Sequence, residues 1–311
     1  MLLIGAAAAL ARPTPAFAGY ADIIVDAATG EVLHAKNADK VNYPASLTKM
    51  MTLYLLFNAL ENGKMTLDQA LPVSAHAAAQ PATKLGLRKG STIKVETAIF
   101  ALVIQSANDV ATVVAEAISG SEEAFARKMT EAGKVIGMRN TVFRNPHGLP
   151  DPAQHTTARD MAVLAIALLQ DYPQYYHYFS ARKFKYGSRT YTTHNRVVLN
   201  YPGADGFKTG YTRASGYNLA TSAVRDGQRL VGVVLGGSTW AKRDAQMIAL
   251  LDRSFGVDGG GDIIQVATGQ APSGIVPREK PPAPAVPLAV LNPEAGTHNE
   301  TPMPAIQLPA S

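Results

Sequence analysis

The 311-residue sequence contains no cysteine. That excludes disulfide scaffolds, thiolate metal sites and a cysteine nucleophile, so any covalent chemistry must come from another side chain. Blocks of like charge are also missing. The formal net charge is only +5 and the basic residues are scattered, which gives nucleic-acid binding no support. A mild positive field favours anionic substrates, including peptides that end in a carboxylate. His147 and His155 lack the His-x-x-x-His spacing of a helical metal site, so the expectation is no metal and no cofactor. Past the N-terminus no segment reads as a membrane span, and no clear membrane anchor is expected. What is abundant is apolar residue, 47% of the chain, enough for a sizeable core.

Leu2 to Ala11 is a short apolar run, and Ala16-Phe17-Ala18 fits a small-x-small cleavage pattern. Residues 1–18 therefore read as a secretion signal, with Gly19 as the mature start and a periplasmic or cell-wall destination. No Lys or Arg precedes the run, which keeps an ordinary buried N-terminal helix open as the alternative. Beyond Phe255 the composition shifts. Gly259-Gly260-Gly261 interrupts the chain, and half of its 20 prolines lie beyond residue 270. The expectation is a catalytic unit over 19–256 and a disordered Pro/Ala-rich tail over 257–311.

Within 19–256, Ala21–Val25 and Glu31–Ala35 read as a hairpin around Asp26–Gly30. Pro44 to Leu60 is apolar almost all round, with Pro44 near its start and Asn62-Gly63 at its end, and predicts a buried helix. Further helices are predicted at Val95–Gln105, Asp109–Ile118, Glu122–Ile136 and Thr157–Gln170, and a last amphipathic one at Ala241–Phe255. Residues 140–160 read as a loop. Gly206–Thr212, Tyr217–Val224 and Leu230–Leu235 read as strands, the last two joined by a hairpin turn at Arg225–Gln228. Strands at both ends with helices between them imply an α+β fold: one antiparallel sheet flanked by helices.

Ser-x-x-Lys occurs three times, at Ser46–Lys49, Ser91–Lys94 and Ser180–Lys183. Alone the pattern means little. Ser91 follows Lys89-Gly90, and Ser180 lies in a polar, extended-looking stretch; only Ser46 opens a long apolar helix. There, residues three apart share a face, so the Lys49 amine can reach the Ser46 hydroxyl. The helix N-terminus offers N–H groups and positive potential to an oxyanion. Burial depresses the Lys49 pKa, and a neutral lysine can take the serine proton. Ser106-Ala107-Asn108 falls at the break between two predicted helices. By itself a Ser–Asn loop reads as a helix cap. Lys208-Thr209-Gly210 lies in a predicted strand. It reads either as one exposed and one inward residue, or as an edge strand that pairs with an extended peptide.

The three elements together, in this order, form the signature of penicillin-binding proteins and β-lactamases. Over about residues 20–255 the chain resembles the low-molecular-mass penicillin-binding proteins that act as D-alanyl-D-alanine carboxypeptidases. Tyr43–Thr52, Ser106–Asp109, Asn145–Leu149 and Asp205–Thr212 all look like that family. The resemblance implies a β-lactamase/transpeptidase-like fold and an acyl-enzyme on Ser46, formed from a peptidoglycan stem peptide, with β-lactam antibiotics as covalent inhibitors. It implies Lys49 as base, and Ser106 with Lys208 delivering a proton to the leaving amine. Asn108 would hold Lys49 and a substrate amide, and Thr209 the terminal carboxylate. The N–H groups of Ser46 and Tyr211, beside Gly210, would form the oxyanion hole. Arg243 lies where the family tends to place a carboxylate-binding arginine, although the residue itself reads as exposed on its helix.

A class A β-lactamase would add a Glu-x-x-x-Asn element between Asn108 and Lys208, and none is present. Two other readings remain. A D,D-endopeptidase would cut crosslinks with the same residues, and the lack of a β-rich segment after Phe255 favours it. A non-catalytic cell-wall-binding module ranks last, because the motif residues are intact.

Overall fold

The protein is described by a computed structural model, which covers residues 19–256. The expected leader (1–18) and tail (257–311) lie outside the described residues. In chain order the elements are β1 (Ala21–Asp26), β2 (Val32–Lys36), α1 (Thr48–Glu61), β3 (Ala70–Pro72), α2 (Ala75–Ala79), β4 (Thr92–Lys94), α3 (Val95–Phe100), α4 (Asn108–Ser119), α5 (Glu122–Ile136) and α6 (Ala158–Asp171). Then follow β5 (Lys183–Tyr186), β6 (Arg189–Thr192), α7 (Arg196–Asn200), β7 (Ala204–Thr212), β8 (Gly216–Arg225), β9 (Gln228–Gly237) and α8 (Trp240–Ser254). Short 3₁₀ segments span Ala45–Leu47 and Pro173–Ser180, and a π-helical stretch spans Ala101–Gln105.

The fold is α+β. Five antiparallel strands form one sheet in the order β2-β1-β9-β8-β7, so β7 is an edge. Both sheet faces are covered, and the alternation along the strands divides their side chains between two cores. Ile23 and Val25 of β1 and Val231, Val233 and Leu235 of β9 join the large core shared with α1, α4 and α6. Ile24, Leu230 and Val234 point the other way, against Met247, Leu250 and Leu251 of α8. Burial on both faces explains why Ile23, Ile24 and Val25 follow one another in β1 without a polar residue between them.

Helix α1 is buried from Thr48 to Leu60 and runs through the larger core. Thr48 Oγ1 has no hydrogen-bond partner among the described residues, but three other polar side chains of the helix do. Thr52 Oγ1 donates to the Pro146 carbonyl (2.6 Å), Tyr54 Oη to Asp171 (2.6 Å), and Asn58 Nδ2 to Tyr172 Oη (2.9 Å). A buried polar atom without a partner is costly, so these bonds also fix the rotation of the helix. Two differences from the sequence reading bear on the site. The helix predicted from Pro44 begins as a 3₁₀ turn at Ala45–Leu47, and only Thr48 onward is α-helical. The helix predicted over Val95–Gln105 ends in the π-helical stretch. Ser180, which looked extended, closes the 3₁₀ segment after α6.

Candidate active site

Ser46 sits in the 3₁₀ turn that feeds α1. In a 3₁₀ turn the i and i+3 side chains eclipse, which places Lys49 Nζ 3.3 Å from Ser46 Oγ. Ala45, just before Ser46, has φ +48°, a left-handed conformation that a non-glycine residue holds only where its surroundings impose it. Two glycines press on this turn. A Cβ on Gly148 would lie 1.8 Å from the Ala45 carbonyl oxygen, and one on Gly210 would lie 2.8 Å from the Ser46 nitrogen. From the sheet, Asn218 of β8 donates Nδ2 to the Tyr43 and Pro44 carbonyls (2.9 and 3.2 Å), and its Oδ1 accepts the Gly236 N–H (3.0 Å). Strand β7 and the Ser46 turn are therefore in close backbone contact.

Lys49 has no exposed surface. Its Nζ lies 2.8 Å from Asn108 Oδ1 and 2.6 Å from the His147 carbonyl oxygen. Both are acceptors only. A neutral amine has two N–H bonds for these two acceptors and one lone pair left for the Ser46 hydroxyl. Burial, and secondarily the charge of Lys208, pushes the Lys49 pKa well below that of an ordinary lysine; Asp109 opposes this. The surroundings thus favour the protonation state that the contacts satisfy.

Ser106 ends the π-helical stretch in a left-handed conformation, φ +59° and ψ +39°. Thr83 Oγ1 donates to its carbonyl (2.8 Å), while its own buried hydroxyl has no partner among the described residues. Asn108 opens α4. Its Nδ2 donates to the Pro81 carbonyl (3.0 Å), which turns Oδ1 toward Lys49. Asp109 accepts N–H bonds from Leu85, Gly86 and Leu87 at 2.9–3.1 Å and so holds the 81–87 loop against α4.

On β7, Lys208 and Thr209 are both buried, not divided between an inner and an outer face. Among the described residues, Lys208 Nζ donates only to the Thr209 carbonyl (3.1 Å). Burial, with Arg243 nearby, pushes its pKa down to about 7. Tyr211 is 55% exposed and its ring lies 4.3 Å from that of Tyr217. Arg243 corrects the expectation of an exposed helix residue: it is only 4% exposed. The first turn of α8 packs onto the end of β9, where a Cβ on Gly237 would meet Arg243 Cβ at 2.9 Å. The guanidinium donates to the Asn218 carbonyl (3.1 Å) and, from Nε and Nη2, to Asp244 Oδ1 (2.8 and 2.6 Å).

Sequence reasoning missed three contributors. The His147 carbonyl on Lys49 has no sequence signature, since any residue supplies a carbonyl. Behind it, His147 Nδ1 accepts the Leu149 N–H (3.2 Å), so Nε2 carries the proton toward Glu122 Oε1, 3.2 Å away. Glu122 also meets His76 (3.0 Å) and Thr112. Burial alone would raise its pKa, but the hydrogen bonds from His147, Thr112 and His76 prevail and hold it at about 2. Asn218 is the third. A run of polar residues before a helix hints at a cap, but nothing local marks a bond reaching from 218 to 43.

These residues surround one cleft of about 680 Å³. Ser46, Ser106, Asn108, Lys208, Thr209, Gly210, Tyr211 and Arg243 line it, Lys49 lies just beneath, and no described aspartate or glutamate lines its wall. Among the described residues, no group of three or more His, Asp or Glu is placed to hold a metal ion.

A serine beside a buried, proton-poor lysine, facing a cationic edge strand across a cleft, defines the penicillin-binding class of active-serine proteins. The family model for D-alanyl-D-alanine carboxypeptidases of the peptidase S11 type matches residues 8–239, and the chain belongs to that family. It is 36% identical over 242 residues to the D-alanyl-D-alanine carboxypeptidase DacF of Bacillus subtilis, covering 75% of this chain and 61% of the relative. It is similar in structure to penicillin binding protein 5 from Haemophilus influenzae (TM-score 0.74, 32% identity, 78% of this chain and 72% of the other). It also resembles penicillin-binding protein D2 from Listeria monocytogenes, solved in an ampicillin-bound form (TM-score 0.66, 28% identity, 78% of this chain and 100% of the other). The chain spans about three fifths of the length of the curated relatives it matches.

Proposed function

We propose that this protein is a serine-type D-alanyl-D-alanine carboxypeptidase that trims peptidoglycan stem peptides. Family membership and the named relatives support the reaction class. The observation that carries the reading is the setting of Lys49, whose Nζ faces the Asn108 and His147 oxygens and stands 3.3 Å from Ser46 Oγ, so that the neutral amine, its two N–H bonds taken, would turn its lone pair to the serine.

In this reading Ser46 Oγ attacks the carbonyl carbon of the penultimate D-alanine while its proton passes to Lys49. The N–H groups of Ser46 and Tyr211 receive the developing oxyanion. The C–N bond then breaks, and the proton reaches the leaving amine through Ser106 and Lys208, whose pKa of about 7 suits transfer near neutral pH. Terminal D-alanine departs. Water cleaves the Ser46 ester, giving a new C-terminal carboxylate and restoring the hydroxyl. Asn108 holds Lys49 and a substrate amide. Thr209, with the cations Lys208 and Arg243, takes the terminal carboxylate. Edge strand β7 offers its free side to the extended peptide.

β-Lactams would acylate Ser46, as the ampicillin-bound Listeria protein suggests. No carboxylate lines the cleft to activate a deacylating water, so such adducts should be long-lived. A cell-wall substrate requires export, which the expected leader at 1–18 would provide; among the described residues no helix is long and apolar enough to cross a membrane.

The test is incubation of the purified chain with a stem pentapeptide ending in D-Ala-D-Ala. Stoichiometric release of one D-alanine, abolished by Ser46→Ala, is expected. Binding of the peptide without release by the correctly folded chain would leave the non-catalytic cell-wall module as the better description.

A further inference from the structure

Basic residues that are scattered in the sequence are gathered in the fold. Residues 81–92 and 172–204 contain no aspartate or glutamate, and together they hold the chain's entire excess of bases over acids. In the first segment Lys84, Arg88 and Lys89 lie on or beside the backbone that Asp109 grips at Leu85, Gly86 and Leu87. In the second, Arg182, Lys183, Lys185 and Arg189 lie on or beside the β5–β6 hairpin. Lys84 is half-buried and the others are exposed. Among the described residues none of these cations forms an ion pair. Arg196, further along the second segment, instead has its guanidinium 3.8 Å from the centroid of the Trp240 ring.

The hairpin aims its lysines outward. Phe184 stacks on Tyr191 (5.2 Å between centroids) and on Phe100 of α3 (6.3 Å), which fixes one face of the hairpin against the protein. Strand alternation then puts Lys183 and Lys185 on the other face, opposite Thr192 and Thr190, and all of these are exposed. Burial, and secondarily the charge of Asp109, raises the pKa of the Tyr186 phenol, so the hairpin passes close to the loop that Asp109 holds. Both segments also reach the cleft: Ala82 and Thr83 line it from the loop, Thr192 and Thr193 from the hairpin. The cationic surface therefore begins where the cleft wall ends.

Along β5 the two lysines stand about 7 Å apart, and the loop adds cations beside them, so one small anion cannot engage the whole surface. A polymer that repeats its anions can. We propose that the 84–89 loop and the outer face of the β5–β6 hairpin form a docking surface for a polymer of repeated carboxylates: the glycan strand, whose neighbouring stem peptides each end in one, while a single stem occupies the cleft. The inference rests on the carboxypeptidase reading and adds to it a site outside the cleft. Holding neighbouring stems raises the local concentration of the next one at Ser46 without any new contact at the reacting bond. A lipid surface fits less well. The hairpin's stacked aromatic rings face the protein, and its outward strand residues are lysines and threonines, which leaves nothing apolar to enter an interface.

The test compares D-alanine release from a soluble uncrosslinked glycan strand bearing several pentapeptide stems with release from the free pentapeptide, using the full chain. Per stem, the unaltered protein should show about tenfold higher kcat/KM on the strand at low salt, an advantage that shrinks as added salt screens exposed charges. The double variants Lys183→Gln/Lys185→Gln and Arg88→Gln/Lys89→Gln should each remove most of that advantage and change release from the free pentapeptide less than about twofold. Lys183→Arg/Lys185→Arg, which keeps the charge, should retain it. The substituted side chains are exposed, and an unchanged thermal midpoint would confirm that the variants fold. Equal kcat/KM of the unaltered protein on both substrates, equal losses on both, or no loss on the strand would each overturn the docking surface. So would anionic phosphatidylglycerol vesicles that bind the unaltered protein and not the variants while strand kinetics stay the same, which would assign the cations to a membrane. Strand binding by the Ser46→Ala chain, weakened about tenfold by either double variant, reads the surface without catalysis. If the unaltered protein released D-alanine from neither substrate and took no penicillin adduct, the carboxypeptidase reading would fall, and the binding measurement would still decide the surface.

Discussion

On the helical wall of the cleft, Lys49 has a partner for each of its hydrogen-bonding positions. On the strand wall, among the described residues, Lys208 donates to nothing but the carbonyl of the next residue. Both lysines are buried and both have depressed pKa values, yet their surroundings ask different things of them. Acceptors surround Lys49 and complete a neutral amine. Lys208 stands beside another cation, Arg243, and no described carboxylate pairs with it. In the proposed reaction one wall is preorganised for proton abstraction, and the other is completed by the substrate carboxylate.

Breaking the helical wall should have the largest effect. Lys49→Ala removes the base but leaves the Ser46 turn held by Asn218, Gly148 and Gly210. Steady-state D-alanine release should fall by about 10³-fold or more, with the fold intact by circular dichroism. Gly210→Ala attacks the junction between the walls, because its Cβ would lie 2.8 Å from the Ser46 nitrogen. Pushing β7 away from the nucleophile should lower kcat about 10²-fold, read in the same assay.

The pH profile sharpens the contrast between the two lysines. If Lys49 acts neutral and Lys208 protonated, kcat/KM rises as pH climbs through the depressed Lys49 pKa and falls as pH passes about 7, where free Lys208 loses its proton. A bound carboxylate favours the ammonium form of Lys208, so the falling limb of kcat should lie at higher pH than that of kcat/KM. Coincident alkaline limbs would show that the strand wall does not receive the substrate's charge.

The smallest effect expected is at Glu122, two contacts removed from the chemistry. Glu122→Gln weakens the hold on His147, whose carbonyl positions Lys49, and should cost about tenfold in kcat with KM little changed. Its folded pKa of about 2 lies below the ordinary 4.5. The stability it contributes is complete above the ordinary value and is lost as pH falls toward 2. The acid arm of a thermal-stability profile should therefore flatten in the variant.

Much of the framework was legible in the sequence because periodicity and punctuation are local. Helix α5 lies where Ser121 caps it and Gly137 ends it, and the β8–β9 hairpin turns at Asp226-Gly227. The other two Ser-x-x-Lys copies differ as their contexts suggested. Ser91 and Ser180 each donate to a nearby backbone carbonyl at the exposed surface, at 2.6 and 2.8 Å. What escaped was set by contacts between distant segments. Arg243 looked exposed because its helix is amphipathic, and only the sheet end beneath it shows otherwise. The His147 carbonyl, the Asn218 brace and the Arg196–Trp240 stack join residues 44 to 175 positions apart. The π-helical stretch before Ser106 has the composition of any Ala/Val-rich helix, so its left-handed exit had no local sign.

The central claim is that Ser46 forms the acyl bond with Lys49 as its base. The most direct measurement is the mass of the intact protein and of its proteolytic peptides after exposure to benzylpenicillin. A single penicilloyl adduct on the peptide containing Ser46, absent in Ser46→Ala and strongly slowed in Lys49→Ala, is the predicted result. An adduct on the peptides of Ser91 or Ser180, or none at all on a folded chain, would contradict the account.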